Sequence, residues 1–373
     1  MVEAQAMFPG TFGHRFMAPK ALRVSSPASY VGTLLKRGKV MADVNARRDS
    51  IRAGVTAAAA KLDGIAVIDD ALLDEVTGLV EWPVPLAGRF DPQFLELPAE
   101  VLVATMQEHQ RYFPVRDAQG KLLPWFITVA NIESREPSQV IAGNERVVRP
   151  RLADAAFFYR TDRQQPLSTH VAALQRVTFQ TQLGSQHDKS ERVRALAKSI
   201  AAAIGADPAL ADRAAELSKC DLLTHMVGEF PELQGLMGRY YALHDHEPAE
   251  VAEALREQYL PRFAGDALPV TGTGMALSIA DKLDTIAGIY ATGQKPSGTR
   301  DPFGLRRAAL GLLRTSIESG LDLDLQQLVG QAVAAARSDM ARVATGQGKS
   351  LDAIDAEKLA VEVYDYVLER LRA

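Results

Sequence analysis

Three side chains that can bind a metal or transfer a proton recur four residues apart in the middle of the chain. They are Asp221, His225 and Glu229, within the run of residues 219–230. Positions four apart lie on one face of a helix, so a continuous helix would bring two carboxylates and an imidazole together. Such groups are usual ligands of hard and borderline metal ions. One interpretation of the spacing is therefore a metal-binding face.

The same run also fits an ordinary amphipathic helix. An apolar stripe lies opposite the three polar positions, and it consists of Leu222, Leu223, Met226, Val227 and Phe230. Polar residues in helical register with such a stripe are common on solvated helix faces. Spacing alone favours this interpretation over the metal-binding one.

A second candidate combines an imidazole, an amide and a guanidinium with two aromatic rings. His109, Gln110 and Arg111 precede Tyr112 and Phe113 at a predicted strand end, and this mixture suits hydrogen bonding and stacking with RNA bases. The alternative is that both rings fill the core while His109 bonds to a backbone carbonyl. The sequence leaves both interpretations open.

Arginines form the remaining candidates. Arg146, Arg149 and Arg151 can hold phosphates through paired hydrogen bonds, although Glu145 and Asp154 are near enough in sequence to form salt bridges with them.

A further arginine pair begins a predicted helix. Arg306 and Arg307 follow Asp301 there, and since a cation at that end opposes the helix dipole, the pattern predicts a compensating acidic residue or partner. Residues 244–247 resemble a ligand group by composition, but a solvated turn is the expected structure.

Short apolar segments predict strands in the first part of the chain. Residues 101–106 and 125–130 are expected to pair as strands, and residues 112–116 should form a strand that enters a turn at 117–120. Glycine supplies the positive φ that this turn needs. The helices predicted in this part cover residues 28–61 and 69–76.

From about residue 166 the pattern predicts helices throughout. In the helix over 188–204, Asp188 or Ser190 is the expected N-cap and Gly205 the stop. A loop is predicted at 292–302, which contains two Gly and two Pro. The other predicted helices are 208–228, 248–258, 273–291, 302–319, 324–340 and 351–371. The fold class is therefore α+β, with a mixed α/β domain at 1–165, a helical domain at 166–320 and a helical segment at 321–373.

Composition excludes several classes of protein. The 373 residues, 47% of them hydrophobic, predict two domains. A net charge of -4 gives no global signature of nucleic-acid binding, so phosphate contacts would need local basic patches. No apolar run reaches the roughly 18 residues of a membrane span and no secretory signal is present, which predicts a cytoplasmic protein. The single Cys220 excludes a disulfide framework.

Several uncommon strings occur in the order known from one family. The series resembles the beta subunit of the bacterial two-subunit glycyl-tRNA synthetase over about residues 11–320. The strings are GHRF from residue 13, HQRYF from 109, GNERV from 143, RPRL from 149, DAAFFY from 154, EFPELQG from 229, ADKLD from 280 and DPFGLRR from 301.

The resemblance implies a supporting role in aminoacylation. In that family the alpha subunit holds the site that activates glycine with ATP and Mg, while the beta subunit recognises tRNA(Gly) and assembles with alpha into a heterotetramer. No catalytic residue and no bound cofactor are then expected in this chain, in agreement with its lack of a Walker loop, a Rossmann fingerprint and a nucleophile elbow. The implied contacts with tRNA or partner are His14, Arg15, His109, Gln110, Arg111, Asn144, Arg146, Arg149, Arg151, Arg306 and Arg307.

The resemblance also implies that family members extend beyond both ends of this chain. Further N-terminal domains would precede the GHRF string, and residues 321–373 would lead into a C-terminal anticodon-binding domain. Residues 1–10 do not match the family pattern.

The helical half is similar to an HD domain, whose active members bind metal through a His, a His-Asp pair and a distant Asp. The resemblance puts His187, the pair Cys220 and Asp221, and Asp281 at these positions, with His225, Glu229 and Asp284 nearby. Cys220 replaces a histidine, which breaks the hard-metal set. We therefore expect a degenerate site without metal. A metal-dependent phosphohydrolase and a helical module that binds only the alpha subunit are the alternative functions.

Overall fold

The computed structural model describes residues 10–348 and 355–371. The chain forms two compact units, Met1–Tyr159 and Arg160–Ala373, and the boundary predicted near residue 165 lies close to this division. Residues 321–373, predicted as a separate segment, belong to the second unit. The first four residues of the helix predicted at 351–371 and nearly all of the unmatched segment 1–10 lie outside the described residues.

A four-stranded antiparallel sheet organises the first unit. Its strands are β3 (Ile65–Ala66), β4 (Val84–Arg89), β5 (Phe113–Arg116) and β6 (Leu122–Ala130), in the order β3-β5-β6-β4. A separate hairpin is formed by β1 and β2, which cover Gly10–Phe12 and Ala21–Arg23.

Helices surround this sheet. Ile51 and Val55 of one helix and Leu73 of another pack with Phe113 and Ile127 of the sheet in one buried cluster, so the core lies between the helices and the sheet. The helices are α1 (Tyr30–Thr33), α2 (Val44–Ala60), α3 (Asp70–Leu79), α4 (Ala99–Gln110) and α5 (Pro137–Asp162).

The β5–β6 hairpin matches its sequence pattern. The Asp117 carboxylate accepts hydrogen bonds from the backbone N–H groups of Gln119 and Lys121 at 3.0 and 2.8 Å, and Gly120 has a φ of 82°. The predicted strands at 112–116 and 125–130 and the turn between them are thus confirmed.

The strand predicted at 101–106 is wrong. These residues lie inside α4, where Val101, Leu102 and Met106 are fully buried and the Thr105 hydroxyl donates to the Val101 carbonyl at 2.8 Å. A short apolar run cannot distinguish a buried strand from a buried helix, which explains the error. The expected pairing of 101–106 with 125–130 is wrong for the same reason.

The helix predicted at 28–61 is interrupted. A π-helix at Leu34–Gly38 ends at Lys39, which has a φ of 54°, and α2 begins only after Asp43 caps it. Backbone hydrogen bonds to distant segments redirect the chain there, since His14 N–H donates to Gly38 C=O at 2.7 Å. The helix predicted at 69–76 is confirmed as α3.

In its described residues, the second unit consists of helices and loops together with a small hairpin of β7 (Thr178–Gln180) and β8 (Gly184–Ser185). Its central helix is buried along nearly its whole length and packs against helices that precede and follow it in the chain. The helices are α6 (Gln186–Ala203), α7 (Pro208–Leu217), α8 (His225–Glu229), α9 (Leu236–His244), α10 (Ala249–Glu257), the central α11 (Gly272–Ala291), α12 (Leu305–Glu318), α13 (Leu325–Gly346) and α14 (Ala356–Glu369).

The α+β class is confirmed, and most predicted helices of this unit are present. The caps of α6 differ from the prediction, because Ser185 is its N-cap and Asp188 is the third helical residue of a capping box. Gly205, with a φ of 73°, follows its end as expected. The continuous helix predicted at 208–228 is wrong, since α7 ends at Leu217 and a 3-10 helix, Cys220–Leu223, precedes α8.

Candidate functional sites

The three side chains spaced by four residues do not share a helix face. Asp221 lies in the 3-10 helix, and the chain is extended at Thr224 before α8 begins at His225. Asp221 is 1% exposed, whereas the side chain of His225 is 60% exposed and Glu229 is exposed as well. The interpretation of these residues as a common metal-binding face is therefore wrong.

Asp221 caps a neighbouring helix. Its Oδ2 accepts hydrogen bonds from the backbone N–H groups of Gly235 and Gly238 at the start of α9, the second at 3.1 Å. Burial raises the pKa of this carboxyl to about 6, although the two amides oppose that rise. Asp221 thus serves as a helix cap.

His225 is held by a buried acid. Its Nδ1 lies 2.8 Å from Asp162 Oδ1, and Asp162 also accepts from the backbone N–H groups of His225 and Met226 and from the Tyr241 hydroxyl. The Asp162 carboxylate thereby satisfies the first N–H groups of α8.

Cys220 is fully buried in the second unit. Burial is the main reason that the pKa of its thiol rises to about 12, and the carboxylates of Asp221 and Glu216 add to the effect. The group is a neutral thiol at physiological pH, whereas a metal would require the thiolate.

Asp281 is held by lysines. Its Oδ1 lies 3.3 Å from Lys189 Nζ and 3.1 Å from Lys219 Nζ, and all three side chains are largely buried. Burial alone would raise the pKa of Asp281, but these ammonium groups and that of Lys282 outweigh burial and hold the pKa well below its usual range. The carboxylate is therefore charged and neutralised by protein cations.

Asp284 extends this buried network. It lies 3.0 Å from Lys189 Nζ and 2.7 Å from Arg192 Nε, and Arg192 also pairs with Asp339 at 2.6 Å. These contacts link α6, α11 and α13, so the residues cross-link helices.

Among the described residues, His187 makes no hydrogen bond or ion pair with Asp221, Asp281 or Asp284. It is half-buried and lines an open polar cavity of about 700 Å³ with Gln180, Asp188 and Arg342.

In the first unit, His14 is a structural residue. It is 2% exposed, its Nε2 lies 2.5 Å from the Asn131 carbonyl oxygen, and its Nδ1 accepts from the N–H groups of Phe16 and Met17 at 3.2 Å. Both ring nitrogens are used internally. The exposed Arg15 instead places its guanidinium 5.5 Å from the centre of the Phe16 ring.

The candidates at 109–111 lie at the end of α4 rather than at a strand end, and Arg111 ends that helix with a φ of 55°. The Arg111 guanidinium pairs with Glu75 at 2.7 Å. Gln110 and His109 are half-buried.

The two aromatic residues that follow belong to the interior. Tyr112 stacks on Phe126 with 4.4 Å between ring centres, and its hydroxyl donates to Asn144 Oδ1 at 2.6 Å. Phe113 is fully buried. The structure supports the core interpretation for both rings, and Asn144 is an internal partner of Tyr112.

The arginines of α5 differ from these residues because they are exposed. Arg146 and Arg149 are three residues apart and share one face of the helix, whereas Arg151 points to another side. Within the described residues, none of the three forms an ion pair with Glu145 or Asp154. Glu145 instead accepts a hydrogen bond from the Arg89 backbone N–H at 2.9 Å. The alternative of salt bridges to these two acids is therefore not seen among the described residues, and the guanidinium groups are available to a ligand.

The acid predicted beside Arg306 and Arg307 is present. Asp301 accepts from the backbone N–H groups of Leu305 and Arg306 at 2.8 and 2.9 Å and so neutralises the start of α12. The Arg306 side chain donates to the Gly298 carbonyl, and Arg307 is exposed.

Comparison with known proteins identifies the family. Residues 4–373 match the family model described as glycyl-tRNA synthetase beta subunit. The chain belongs to this family. A glycine–tRNA ligase beta subunit of Marinobacter nauticus is 54% identical over an alignment that covers 100% of this chain and 52% of the relative. The protein of the same name from Chromohalobacter salexigens is 53% identical over 97% of this chain and 51% of the relative. The one from Edwardsiella ictaluri is 57% identical over 86% of this chain and 47% of the relative. The chain spans about half the length of the curated relatives it matches.

In this member of the beta subunit family, the residues do not fit the metal site that an HD domain implies. Asp221 is used by backbone amides, Asp281 and Asp284 by lysines and an arginine, and Cys220 is a buried thiol. Over residues 10–348 and 355–371, no group of three or more His, Cys, Asp or Glu side chains is placed to hold a metal ion. The HD relationship itself stays a prediction.

The sequence did not identify the lysines and the arginine that pair with Asp281 and Asp284. Lys219 directly precedes Cys220, and Lys189 follows His187 by two positions, so their proximity to the implied metal positions was the available signal. Arg89 was also missed, because it lies at a strand end without a local motif. In the described part of the chain, no helix combines the length and the apolar character needed to cross a membrane.

Proposed function

We propose that this chain is a tRNA-binding portion of a glycine–tRNA ligase beta subunit that does not itself activate glycine. Its partners would be tRNA(Gly) and the alpha subunit, with ATP and Mg handled by the alpha subunit. Family membership over residues 4–373 supports the assignment. The observation that carries the RNA-binding role is the pair of exposed guanidinium groups of Arg146 and Arg149 on α5, which have no ion-pair partner among residues 10–348 and 355–371.

The chemistry of these groups fits phosphate binding. A guanidinium presents paired N–H donors that match two phosphate oxygens, and an exposed arginine without an internal acid loses no existing ion pair when RNA arrives. The net charge of -4 means that this attraction must be local rather than global. RNA binding should therefore depend on particular arginines and weaken as salt rises.

Two assays of the purified chain test this division of roles. We expect tRNA(Gly) to shift in a gel at low salt, and we expect no glycine-dependent exchange of pyrophosphate into ATP. Exchange by the chain alone would contradict the non-activating role. A lack of tRNA binding at about 50 mM salt would contradict the RNA-binding role, since phosphate contacts are strongest there.

Assembly with the alpha subunit needs a separate experiment. Affinity-tagged chain should retain purified alpha subunit with and without tRNA(Gly). Retention of alpha together with failure to shift tRNA would favour a helical interaction module instead.

We also propose a cytoplasmic location. The only cysteine is a buried free thiol, which suits a reducing compartment. Fractionation of cells that carry the tagged chain should recover it with cytoplasmic markers.

A further inference from the structure

We propose that a cavity in the first unit binds one unpaired nucleotide of RNA whose base carries an amino group. The aromatic and apolar wall would receive the base, and Arg89 and Arg149 would hold its phosphates. This site rests on the proposed function only in taking tRNA as the source of that nucleotide.

The cavity lies where β4 ends and β6 begins, beside α5. Its volume is about 400 Å³, within the roughly 300–1,000 Å³ typical of small-ligand sites. Phe90, Phe94 and Trp125 contribute to its lining, and the Phe90 N–H donates to the Pro124 carbonyl at 3.1 Å. Aromatic side chains in a cavity lining can stabilise a base by stacking, without strong dependence on which base is bound.

Two arginines border the same cavity. Arg89 and Arg149 both line it and are exposed. Among residues 10–348 and 355–371, neither guanidinium has a hydrogen-bond or ion-pair partner. Arg146 lies one helical turn before Arg149 and continues the positive surface along α5. Successive phosphates of a bound strand can therefore be held outside the cavity while a base occupies it.

Carboxylates determine which end of the nucleotide enters. Glu145 and Asp91 line the cavity, and Glu145 is fixed by the Arg89 N–H at 2.9 Å, while Asp91 accepts from the Gln93 N–H at 3.0 Å. Negative charge repels a phosphate from this part of the cavity. The same oxygens accept hydrogen bonds from exocyclic amino groups, as a carboxylate does from cytosine N4. Adenine, cytosine and guanine offer such a group, whereas uracil does not.

The geometry also selects against duplex RNA. Bases inside a helix are stacked and paired, so their faces and edges cannot enter a cavity in a protein surface. An unpaired segment presents its bases freely. The expected ligand is therefore single-stranded.

Tryptophan fluorescence gives a direct test. The chain has two tryptophans, so the Trp82→Phe variant leaves Trp125 as the only reporter. The tetranucleotides rA4, rC4 and rU4 would be titrated, with AMP and a base-paired duplex as further arms. We expect rA4 and rC4 to quench Trp125 and to bind about fivefold or more tightly than rU4, AMP to bind more weakly because it has one phosphate, and the duplex to have no effect.

Three substitutions in this background make the test specific. Arg149→Ala should weaken rC4 binding about tenfold, and Glu145→Gln should abolish the preference for rC4 over rU4. Arg151→Ala is the matched control, because Arg151 is exposed on the same helix but does not line the cavity, and it should change affinity less than about twofold.

The outcomes separate this site from the proposed function. Equal losses in Arg149→Ala and Arg151→Ala would indicate general electrostatics and overturn the cavity proposal. Tight tRNA(Gly) binding without quenching by any tetranucleotide would overturn the cavity and leave the function intact. Quenching with the expected base preference but no tRNA(Gly) binding would support the cavity and overturn the function.

Discussion

Asp221 is fully buried and Asp281 is largely buried, yet the surroundings of these two carboxylates move their pKa values in opposite directions. Asp221 meets backbone amides, which do not compensate for lost solvation, and its pKa rises to about 6. Asp281 lies close to the positive charges of three ammonium groups, and these hold its pKa well below the usual range. At the scale of single residues, burial therefore dominates the pKa of Asp221, whereas neighbouring charges dominate the pKa of Asp281.

The lysines around Asp281 should be structural. We expect Lys219→Met to lower the free energy of unfolding by about 3 kcal/mol, because it leaves a buried carboxylate with fewer cations. Lys198→Met is the matched control, since Lys198 is 53% exposed and lies 3.8 Å from Asp212. It should cost less than about 1 kcal/mol. Urea denaturation measures both, and equal losses would contradict the role of the buried network.

Asp221 should make stability depend on pH. Because its folded pKa of about 6 exceeds the unfolded value of 3.8, its contribution is fully present below 3.8 and is lost as pH rises through 6. Between pH 5 and 7.5 the wild type should lose more than about 1 kcal/mol relative to Asp221→Asn, which cannot ionise. Denaturation of both proteins across this range measures the difference. A constant difference would show that the carboxyl does not titrate there.

At the scale of elements, the sequence correctly predicted helices and strands that are stabilised by interactions between residues close together in the chain. The β5–β6 hairpin follows from Asp117 and Gly120 in its turn, and it was predicted correctly. The breaks near Gly38 and just before His225 depend on hydrogen bonds to distant segments. His14 N–H donates to Gly38 C=O, and His225 N–H donates to the Asp162 carboxylate. Helical periodicity contains no information about these contacts, so both helices were predicted as continuous.

The close contact between β4 and β6 at Gly88 gives a prediction about these elements. A Cβ added at Gly88 would lie 2.5 Å from the ring of Phe126, its direct partner across the strands, so Gly88→Ala should destabilise the chain by about 1–3 kcal/mol. Gly78→Ala is the control, because the position is helical and no atom lies within 4 Å of its added Cβ. That variant should be stabilised by roughly 0.5–1 kcal/mol. Thermal melts compare the two, and an unaffected Gly88→Ala would contradict the close packing.

At the scale of the whole molecule, the candidate charged residues of the two units differ in whether they have ion-pair partners. The second unit pairs the buried Asp284 and the largely buried Asp281 and Asp339 with lysines and an arginine. The first unit leaves Arg146 and Arg149 exposed and unpaired among the described residues. The sequence identified Asp281, Asp284, Arg146 and Arg149 as candidates but not Asp339. It could not show which charges are paired, because the partners come from helices far apart in the chain.

The salt dependence of tRNA(Gly) binding tests the central claim most directly. Fluorescence anisotropy from about 50 to 200 mM salt would compare the wild type with an Arg146→Ala and Arg149→Ala double variant and with Arg151→Ala. The account predicts that affinity falls steeply with salt, that the double variant binds more weakly with a log–log slope shallower by about 1.5, and that Arg151→Ala resembles the wild type. Binding that is independent of salt, or a double variant indistinguishable from the wild type, would contradict it.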